Sequence, residues 1–389
     1  MSKDKRDLFD VLGISTYEHS YTELLATLFE ERQEWARDFF RKVFGHLPAE
    51  GTVRTKTQLS VPHEGGGRTK DRLDLVLAFG DAAPDIWVVE AKIKSSESSD
   101  QLRRYESQKA QQEIADELGL KKPSQDNWHY SYLTLEGEDP TGPTQFRSIT
   151  YEPLREILPA NPDLATELFP AYSGLRSRFV DYYKARGEVT EGKAPSDSTP
   201  LEGYLNGTWG LIDERNKFHW LMERIAKDLG GPKFEFGIAQ NKAFAKPMCR
   251  TRNLRWQGKK YGEDKARLRE CFDVHLELQL ISGDSVSFVL HYETNPYKPG
   301  LSTDTTIDKE ELEEYWESRR QFAHCLSRYE GELKANCWKL TQYPLQLAKC
   351  SENFKLNNTV GSFREWVREG AEAITEAAER AGKEVGLWK

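Results

Sequence analysis

Long hydrophobic runs, paired cysteines and an excess of positive charge are all missing from this sequence, and each absence excludes something. No stretch of about 18 consecutive apolar residues occurs, so no membrane-spanning helix is expected. The opening MSKDKRDLFD has no apolar core of the kind a secretory leader carries, and a cytoplasmic location is expected. Cysteine is scarce: five residues (Cys249, Cys271, Cys325, Cys337 and Cys350), an odd number, none spaced as C-x-x-C. That argues against a disulfide framework and a structural zinc site, and for small buried thiols in a reducing compartment. The eight histidines are scattered, with no pair at metal-ligand spacing. EGGGRTK lacks the spacing and following helix of a phosphate-binding loop, so any ATP-driven step must come from another chain. With a net charge of −8, the chain cannot coat nucleic acid through overall positive charge and would need a local basic surface.

What is present is a polar but globular chain of 389 residues, 38% hydrophobic and 30% charged, long enough for two domains or one large one. Apolar positions at helical spacing in YTELLATLFE and EWARDFFRKVF predict helices within residues 7–44. GTVRTKTQLSVP alternates as a strand and HEGGGRTK is a glycine-rich basic turn. RLDLVLAF and DIWVVEAKI are two further strands joined by GDAAP. A helix is expected in SSESSDQLRRYESQKAQQEIADELG, a strand in WHYSYLTLEG, a strand running into a helix in FRSITYEPLREIL, and a helix in ELFPAYSGLRSRFVDYYKARG. A helical crossover allows parallel pairing, so residues 1–186 are expected to form an α/β core around a mixed sheet. Residues 187–200, GEVTEGKAPSDSTP, are rich in Gly, Pro, Ser and Thr and read as a surface linker. Residues 201–389 predict a second, α+β domain with an antiparallel sheet, suited to recognising a substrate or partner. Its strands are expected around KFEFGIAQ, FDVHLELQLI and SVSFVLHYE, with helices from near Asp213 and around KEELEEYWESRRQFAHCLSRY and SFREWVREGAEAITEAAERAG.

The first domain places charge where core strands should have none. Asp74 lies in the middle of RLDLVLAF, and Glu90 and Lys92 lie near the end of DIWVVEAKI. Charged groups are seldom buried unless they are paired or bind a metal. Alternation along a strand projects Glu90 and Lys92 from one face, and pairing of the two strands would bring Asp74 to Glu90 at one edge of the sheet. Two carboxylates that close repel each other unless positive charge lies between them, and hard oxygen ligands suit Mg²⁺ or Mn²⁺. Lys92 could then hold a water or stabilise charge on a phosphoryl group. The same three residues also read as a strand-end salt bridge.

RLDLVL followed by VVEAK resembles the active-site signature of the PD-(D/E)xK nuclease superfamily, with Asp74, Glu90 and Lys92 at its three positions and Leu73 where a proline usually precedes the Asp. DQLRRYE is similar to the Q-x-x-x-Y helix motif of RecB-like branches, through Gln101 and Tyr105, which share a helix face. EHSYTELLATLF resembles the opening helix of a bacterial family in which a helix glutamate completes the metal site. The resemblance implies Glu18 for that role, with Glu23 as the alternative. It spans residues 8–185, including the later YSYLTLEG and FRSITYEPLREIL. It implies a restriction-endonuclease-like mixed sheet flanked by helices, and a Mg²⁺-dependent (or Mn²⁺-dependent) nuclease. Asp74, Glu90 and Glu18 would hold the metal, Lys92 would assist catalysis, and Gln101 and Tyr105 would support them. DNA is favoured over RNA, in a setting of bacterial anti-phage defence or restriction. The alternatives are a catalytically inactive nucleic-acid-binding scaffold and a ribonuclease for structured RNA. The reading leaves room for a homo-oligomer or a partner protein of a defence system.

Two basic surfaces could hold the substrate. One comprises Arg54, Lys56, Arg68, Lys70 and Arg72 around the glycine-rich turn. The other is NKAFAKPMCRTRNLRWQGKKY, which carries Lys242, Lys246, Arg250, Arg252, Arg255, Lys259 and Lys260, no acidic residue, and the aromatics Phe244, Trp256 and Tyr261. Basic groups match phosphates and aromatics stack on unpaired bases, although each residue alone reads as an ordinary surface cation or core ring. His19 is the one histidine beside the expected site. The acidic run Asp308, Glu310, Glu311, Glu313, Glu314 and Glu317 reads as the exposed face of a helix.

Overall fold

A computed structural model of the chain describes residues 7–12, 18–62, 70–93, 101–120, 123–137, 140, 144–192, 195–206, 210–229, 235–239, 246–250, 256–262, 265–281, 285–295, 301, 304, 307–341 and 346–387. The chain divides into two compact units, one of residues up to Ala185 and the other of most residues from Arg186 on. Among the described residues no helix is long and apolar enough to cross a membrane.

The first unit begins with α1 (Leu8–Leu12), α2 (Glu18–Glu31) and α3 (Gln33–Phe44), followed by β1 (Val53–Pro62), β2 (Lys70–Phe79) and β3 (Asp85–Ala91). These three strands pair antiparallel in sequence. Gly80 turns β2 into β3 with φ +90°, and a Cβ there would meet the Glu50 carbonyl oxygen at 2.8 Å, so no side chain fits. The helices α4 (Gln101–Tyr105) and α5 (Gln108–Glu117) cross over to β4 (Trp128–Thr134), which pairs parallel with β3, and β5 (Arg147–Thr150) adds parallel to β4. The order β1-β2-β3-β4-β5 is the expected mixed sheet, with β3 at its centre. Two short-to-long helices close the unit, α6 (Leu154–Ile157) and α7 (Phe169–Thr190).

Both faces of this sheet are covered, which explains the near-continuous apolar runs of β2 and β3. On one face Phe39 and Phe40 of α3 pack against Trp87 at ring distances of 5.1 and 5.6 Å. On the other, Val76, Ala78, Ile86 and Val88 pack with Leu102 and Tyr105 of α4 and with Ala110 and Ile114 of α5. Each large side chain so buried contributes about 1.5–3 kcal/mol.

The second unit holds α8 (Leu201–Leu205), α9 (Glu214–Leu229), β6 (Glu235–Ala239), β7 (Lys246–Arg250), β8 (Phe272–Ile281) and β9 (Ser285–Thr294). Then come α10 (Lys309–Ser327), α11 (Glu330–Ala335), β10 (Trp338–Leu340), β11 (Gln346–Cys350), β12 (Phe354–Lys355) and α12 (Val360–Glu384). Its sheet runs β10-β11-β9-β8-β7-β6, with β12 also on β9, and its pairings are antiparallel as expected. Period-two alternation sends Val274, Leu276 and Leu278 of β8 and Phe288, Leu290 and Tyr292 of β9 into a core shared with α9, α10 and α12.

Residues 187–200, expected as a linker, differ from a free one. Their first four residues are the end of α7. Further on, Val360 N–H donates to Thr199 O at 2.9 Å and Gly361 N–H to Asp197 O at 3.0 Å. Glycine, proline and serine mark turns and caps as well as linkers, so composition alone does not separate the two. Of the described cysteines, Cys271, Cys325 and Cys350 are buried and in no disulfide, whereas Cys337 is exposed rather than buried.

Candidate active site

The site forms where β2 and β3 part. Their ladder ends at Leu75 opposite Val89, while β2 goes on pairing with β1 as far as Lys70 opposite Pro62. On its other side β3 continues along β4, and Lys92 N–H donates to Leu133 O at 2.7 Å. Backbone N–H groups alternate in direction, so those of Ala91 and Ile93 point to the side that β2 has left. A buried N–H needs an acceptor, and side-chain carboxylates supply it. Asp74 Oδ2 accepts from Ala91 N–H at 3.0 Å, and Glu18 Oε1, from the first turn of α2, accepts from Ile93 N–H at 2.7 Å. Three carboxylates thereby gather at the end of a central strand, because Glu90 shares the face of Ile86 and Val88. The position corrects the expectation of a sheet edge: β3 is the middle strand of five.

Lys92 lies among them. Its Nζ donates to Glu90 Oε1 and lies 3.5 Å from Asp74 Oδ2. Gln101 Nε2 donates to the same Glu90 oxygen at 2.8 Å and to Tyr105 Oη at 2.9 Å, and Tyr105 O–H donates to Arg72 O at 2.8 Å. The Q-x-x-x-Y pair is therefore joined to the motif glutamate by hydrogen bonds through one amide.

Electrostatics follow from crowding in a dry place. Asp74 and Glu90 are 9% and 0% exposed. Burial, then repulsion from Asp74, outweighs the attraction of Lys92 and pushes Glu90 up to about 8. Asp74 is raised too, by burial first, against the opposing pull of Lys92 and the Ala91 N–H. Burial alone would lower Lys92, but Glu90, Asp74 and Glu18 together raise it, so it stays a cation.

The donor set fits a hard divalent cation. After burial, both other carboxylates, Asp74 and Glu18, raise Glu90, and Glu90 Oε2 is buried with no hydrogen-bond partner among the described residues, an acceptor in want of a donor or a metal. Among the described residues, no three His, Cys, Asp or Glu side chains yet close around one point. Lys92 supplies the neutralising charge instead, and Glu18 is engaged by Ile93 N–H.

Other expected residues are not brought together here. Glu23 accepts from Thr57 O–H at 2.6 Å, away from Asp74, so Glu18 is the helix glutamate at the site. His19 is exposed on α2. Of the first basic surface, Lys56 and Arg72 are exposed, and Arg54 donates to Gly80 O at 3.0 Å. Arg68 and the Lys70 side chain lie outside the described residues. Of the second, Arg252 and Arg255 and the side chain of Arg250 lie outside the described residues. Lys260 is exposed, and Lys259 pairs with Glu270 at 2.9 Å. Trp256 corrects the expectation of a stacking platform: it is 1% exposed in the core of the second unit, with Tyr261 packed against that core. The acidic run lies on α10 as expected, with Asp308 as its N-cap and Glu313 and Glu317 paired to Arg320.

Two residues at the site escaped the sequence reading. Gln58 of β1 donates from Nε2 to Asp74 Oδ1 at 3.3 Å. The register of the β1–β2 hairpin, had it been counted outward from the turn, places it opposite Asp74. Tyr151 is fully buried, its ring 4.6 Å from that of Phe179, and its hydroxyl has no hydrogen-bond partner among the described residues. Burial first, then the nearby charge of Glu18 and Asp74, raises its pKa far above the ordinary tyrosine value.

No curated protein and no solved structure matches the chain. A family model described as the PD-(D/E)XK nuclease superfamily does match, over residues 6–158. That span runs from α1 through α6 and contains Glu18, Gln58, Asp74, Glu90, Lys92, Gln101, Tyr105 and Tyr151. With the mixed sheet and this match together, the N-terminal part of the chain, residues 6–158, is similar to the PD-(D/E)XK nuclease superfamily.

Proposed function

We propose that the protein is a Mg²⁺-dependent nuclease that hydrolyses phosphodiester bonds, with DNA as its substrate. Nucleases of this superfamily typically use divalent metals. The observation that carries the reading is the meeting of Asp74, Glu90 and Lys92 at the parting of β2 and β3, with Glu18 within hydrogen-bond reach of Ile93 N–H in the same turn of chain.

Asp74, Glu90 and Glu18 would hold the cation, which when bound supplies Lewis-acid stabilisation of charge on the phosphate and its leaving oxygen. Burial first, and then neighbouring carboxylate charge, raises Asp74 and Glu90, and a divalent cation held there would favour their charged forms. Lys92, protonated and then less tightly drawn to Glu90, donates to the attacking water or to a phosphoryl oxygen. Gln101, fixed by Tyr105, holds the Glu90 carboxylate in orientation throughout. The second unit is proposed to choose substrate or partner, and a role in bacterial anti-phage defence or restriction rests on the family resemblance alone.

Purified protein with Mg²⁺ or Mn²⁺ is expected to cleave DNA. Asp74→Ala and Lys92→Ala are each expected to lose at least about 100-fold in rate, a loss of the size seen when one charge-stabilising group is removed, while circular dichroism stays unchanged. Full activity in either variant would sink the assignment. Cleavage of structured RNA but not DNA would make the enzyme a ribonuclease. Binding without cleavage of either would make it a scaffold.

A further inference from the structure

Gln58 sits in the middle of a strand in a conformation that strands do not use. Its φ is +49°, in the left-handed region that disfavours every residue with a Cβ. Among the described residues the two other non-glycines with positive φ, Lys265 and Cys337, lie in the second unit. The flanking pairs Thr57–Leu75 and Leu59–Leu73 stay in register while the Gln58–Asp74 pair drops out of the ladder.

The two strands change face at this point. Thr57 and Thr55 reach Glu23 and Glu30 of α2, whereas Leu59 and Val61, of the same parity, pack on the side of α4 and α5. In β2, Leu73 joins the same cluster as Val76 and Ala78 despite its opposite parity. In a regular strand, residues of one parity share one face, so both strands are broken at the level of Gln58 and Asp74. Backbone held off its preferred basin is retained where surrounding structure demands it, and such positions cluster at functional sites.

We propose that Gln58 is a positioning residue of the candidate site: its left-handed backbone aims the side-chain amide at Asp74 and orients that carboxylate for a divalent cation. The inference rests on the nuclease reading above and deepens it. Gln58 Nε2 holds Oδ1 at 3.3 Å while the Ala91 N–H holds Oδ2 at 3.0 Å, so both oxygens of Asp74 are fixed by donors. Gln101 does the same for Glu90 at 2.8 Å. Each motif carboxylate thus has its own amide. A neutral amide is the suitable donor, because it orients the carboxylate without neutralising the charge that attracts the metal.

Gln58→Gly separates the two roles of the residue. Glycine adopts φ +49° without strain, so the break in the strand survives and only the amide is lost. Full-length protein without nucleic acid is titrated with Mn²⁺ and free Mn²⁺ is read by electron paramagnetic resonance. Melting temperature and Mg²⁺-dependent cleavage are measured alongside. Gln58→Gly is expected to melt no lower than wild type, to raise the half-saturating Mn²⁺ concentration about 10-fold, the loss typical when an outer-shell partner of a ligand is removed, and to keep most of kcat at saturating Mg²⁺. Gln58→Asn, which tolerates the backbone but carries a donor one methylene shorter, is expected to lose Mn²⁺ affinity as well. Wild-type Mn²⁺ affinity in both variants, whatever their melting temperatures, overturns the role of Gln58 and leaves the nuclease reading standing. A wild-type protein that neither binds Mn²⁺ nor cleaves overturns both.

Discussion

Two tyrosines at one end of the first sheet show how the same substitution can act in opposite directions. The Tyr105 hydroxyl accepts from Gln101 at 2.9 Å and donates to Arg72 O at 2.8 Å, tying α4 to β2. The Tyr151 hydroxyl is equally buried and has no partner among the described residues. A satisfied buried hydrogen bond contributes about 1 kcal/mol, and an unsatisfied buried polar group costs about 1–3 kcal/mol. Tyr105→Phe is therefore expected to lower stability by about 1 kcal/mol and to slow cleavage through a loosened Gln101. Tyr151→Phe is expected to raise stability by about 1 kcal/mol. Urea unfolding of both variants beside wild type checks the signs, and a loss of stability in Tyr151→Phe would mean that the hydroxyl is satisfied in solution. At this scale Asp74, Glu90 and Lys92 were legible because their pattern is short and strand alternation is local. Gln101 and Tyr105 were legible because a four-residue spacing puts them on one helical face. Gln58 was not, since nothing about a glutamine in TQLS announces a left-handed backbone imposed by its partner strand.

At the scale of elements, β8 and β9 carry a second set of charges. On the face opposite the core, His291 Nδ1 lies 3.0 Å from Glu293 and Nε2 lies 3.3 Å from Glu277. The His275 ring stacks on it at 5.6 Å, with Asp273 3.4 Å from His275 Nδ1. Burial alone would lower His291, but the two glutamates outweigh it and raise it to about 9. A histidine raised on folding stabilises the fold fully below its ordinary value of about 6.5, and that contribution fades as pH rises through about 9. His291→Gln is thus expected to lower melting temperature more at pH 6 than at pH 10, and an equal loss at both would count against the charged state. A tighter constraint lies beside β8, where Gly258 N–H donates to Phe272 O at 2.8 Å. A Cβ on Gly258 would stand 2.0 Å from the Glu270 carbonyl oxygen and 2.9 Å from the Phe272 ring. Gly258→Ala should cost about 3 kcal/mol by overpacking, measurable by thermal unfolding. Strand and helix identities were read well where periodicity was strong, as in β8, β9, α10 and α12. The short β10, β12 and α11 were not read, because two to six residues carry too little pattern to stand above their neighbours.

Across the whole molecule the charge balance limits how nucleic acid can be held. With net −8, nucleic acid has to be held by a local basic surface, and the salt dependence of binding reports how many phosphates that surface contacts. The exposed Arg72 lies in β2, two residues before Asp74. Arg72→Glu is expected to weaken nucleic-acid binding and to reduce the salt slope by about one. Lys259→Ala is expected to leave it unchanged, because Lys259 is already paired with Glu270. A steeper slope in either variant would contradict this assignment of surfaces, and fluorescence anisotropy at several salt concentrations measures it. The sequence by itself determined the mixed α/β first half, the antiparallel second half, and the signature carboxylates and lysine. Those features are written in local periodicity and in short spacings along one strand or helix. Only the tertiary structure decided that the site lies at the parting of two central strands, that Glu18 and not Glu23 reaches it, and that Trp256 is core. It alone also put Gln58 beside Asp74. Each of these depends on register and packing between segments far apart in the chain, where a side chain's neighbours are set by the fold and not by its own sequence context.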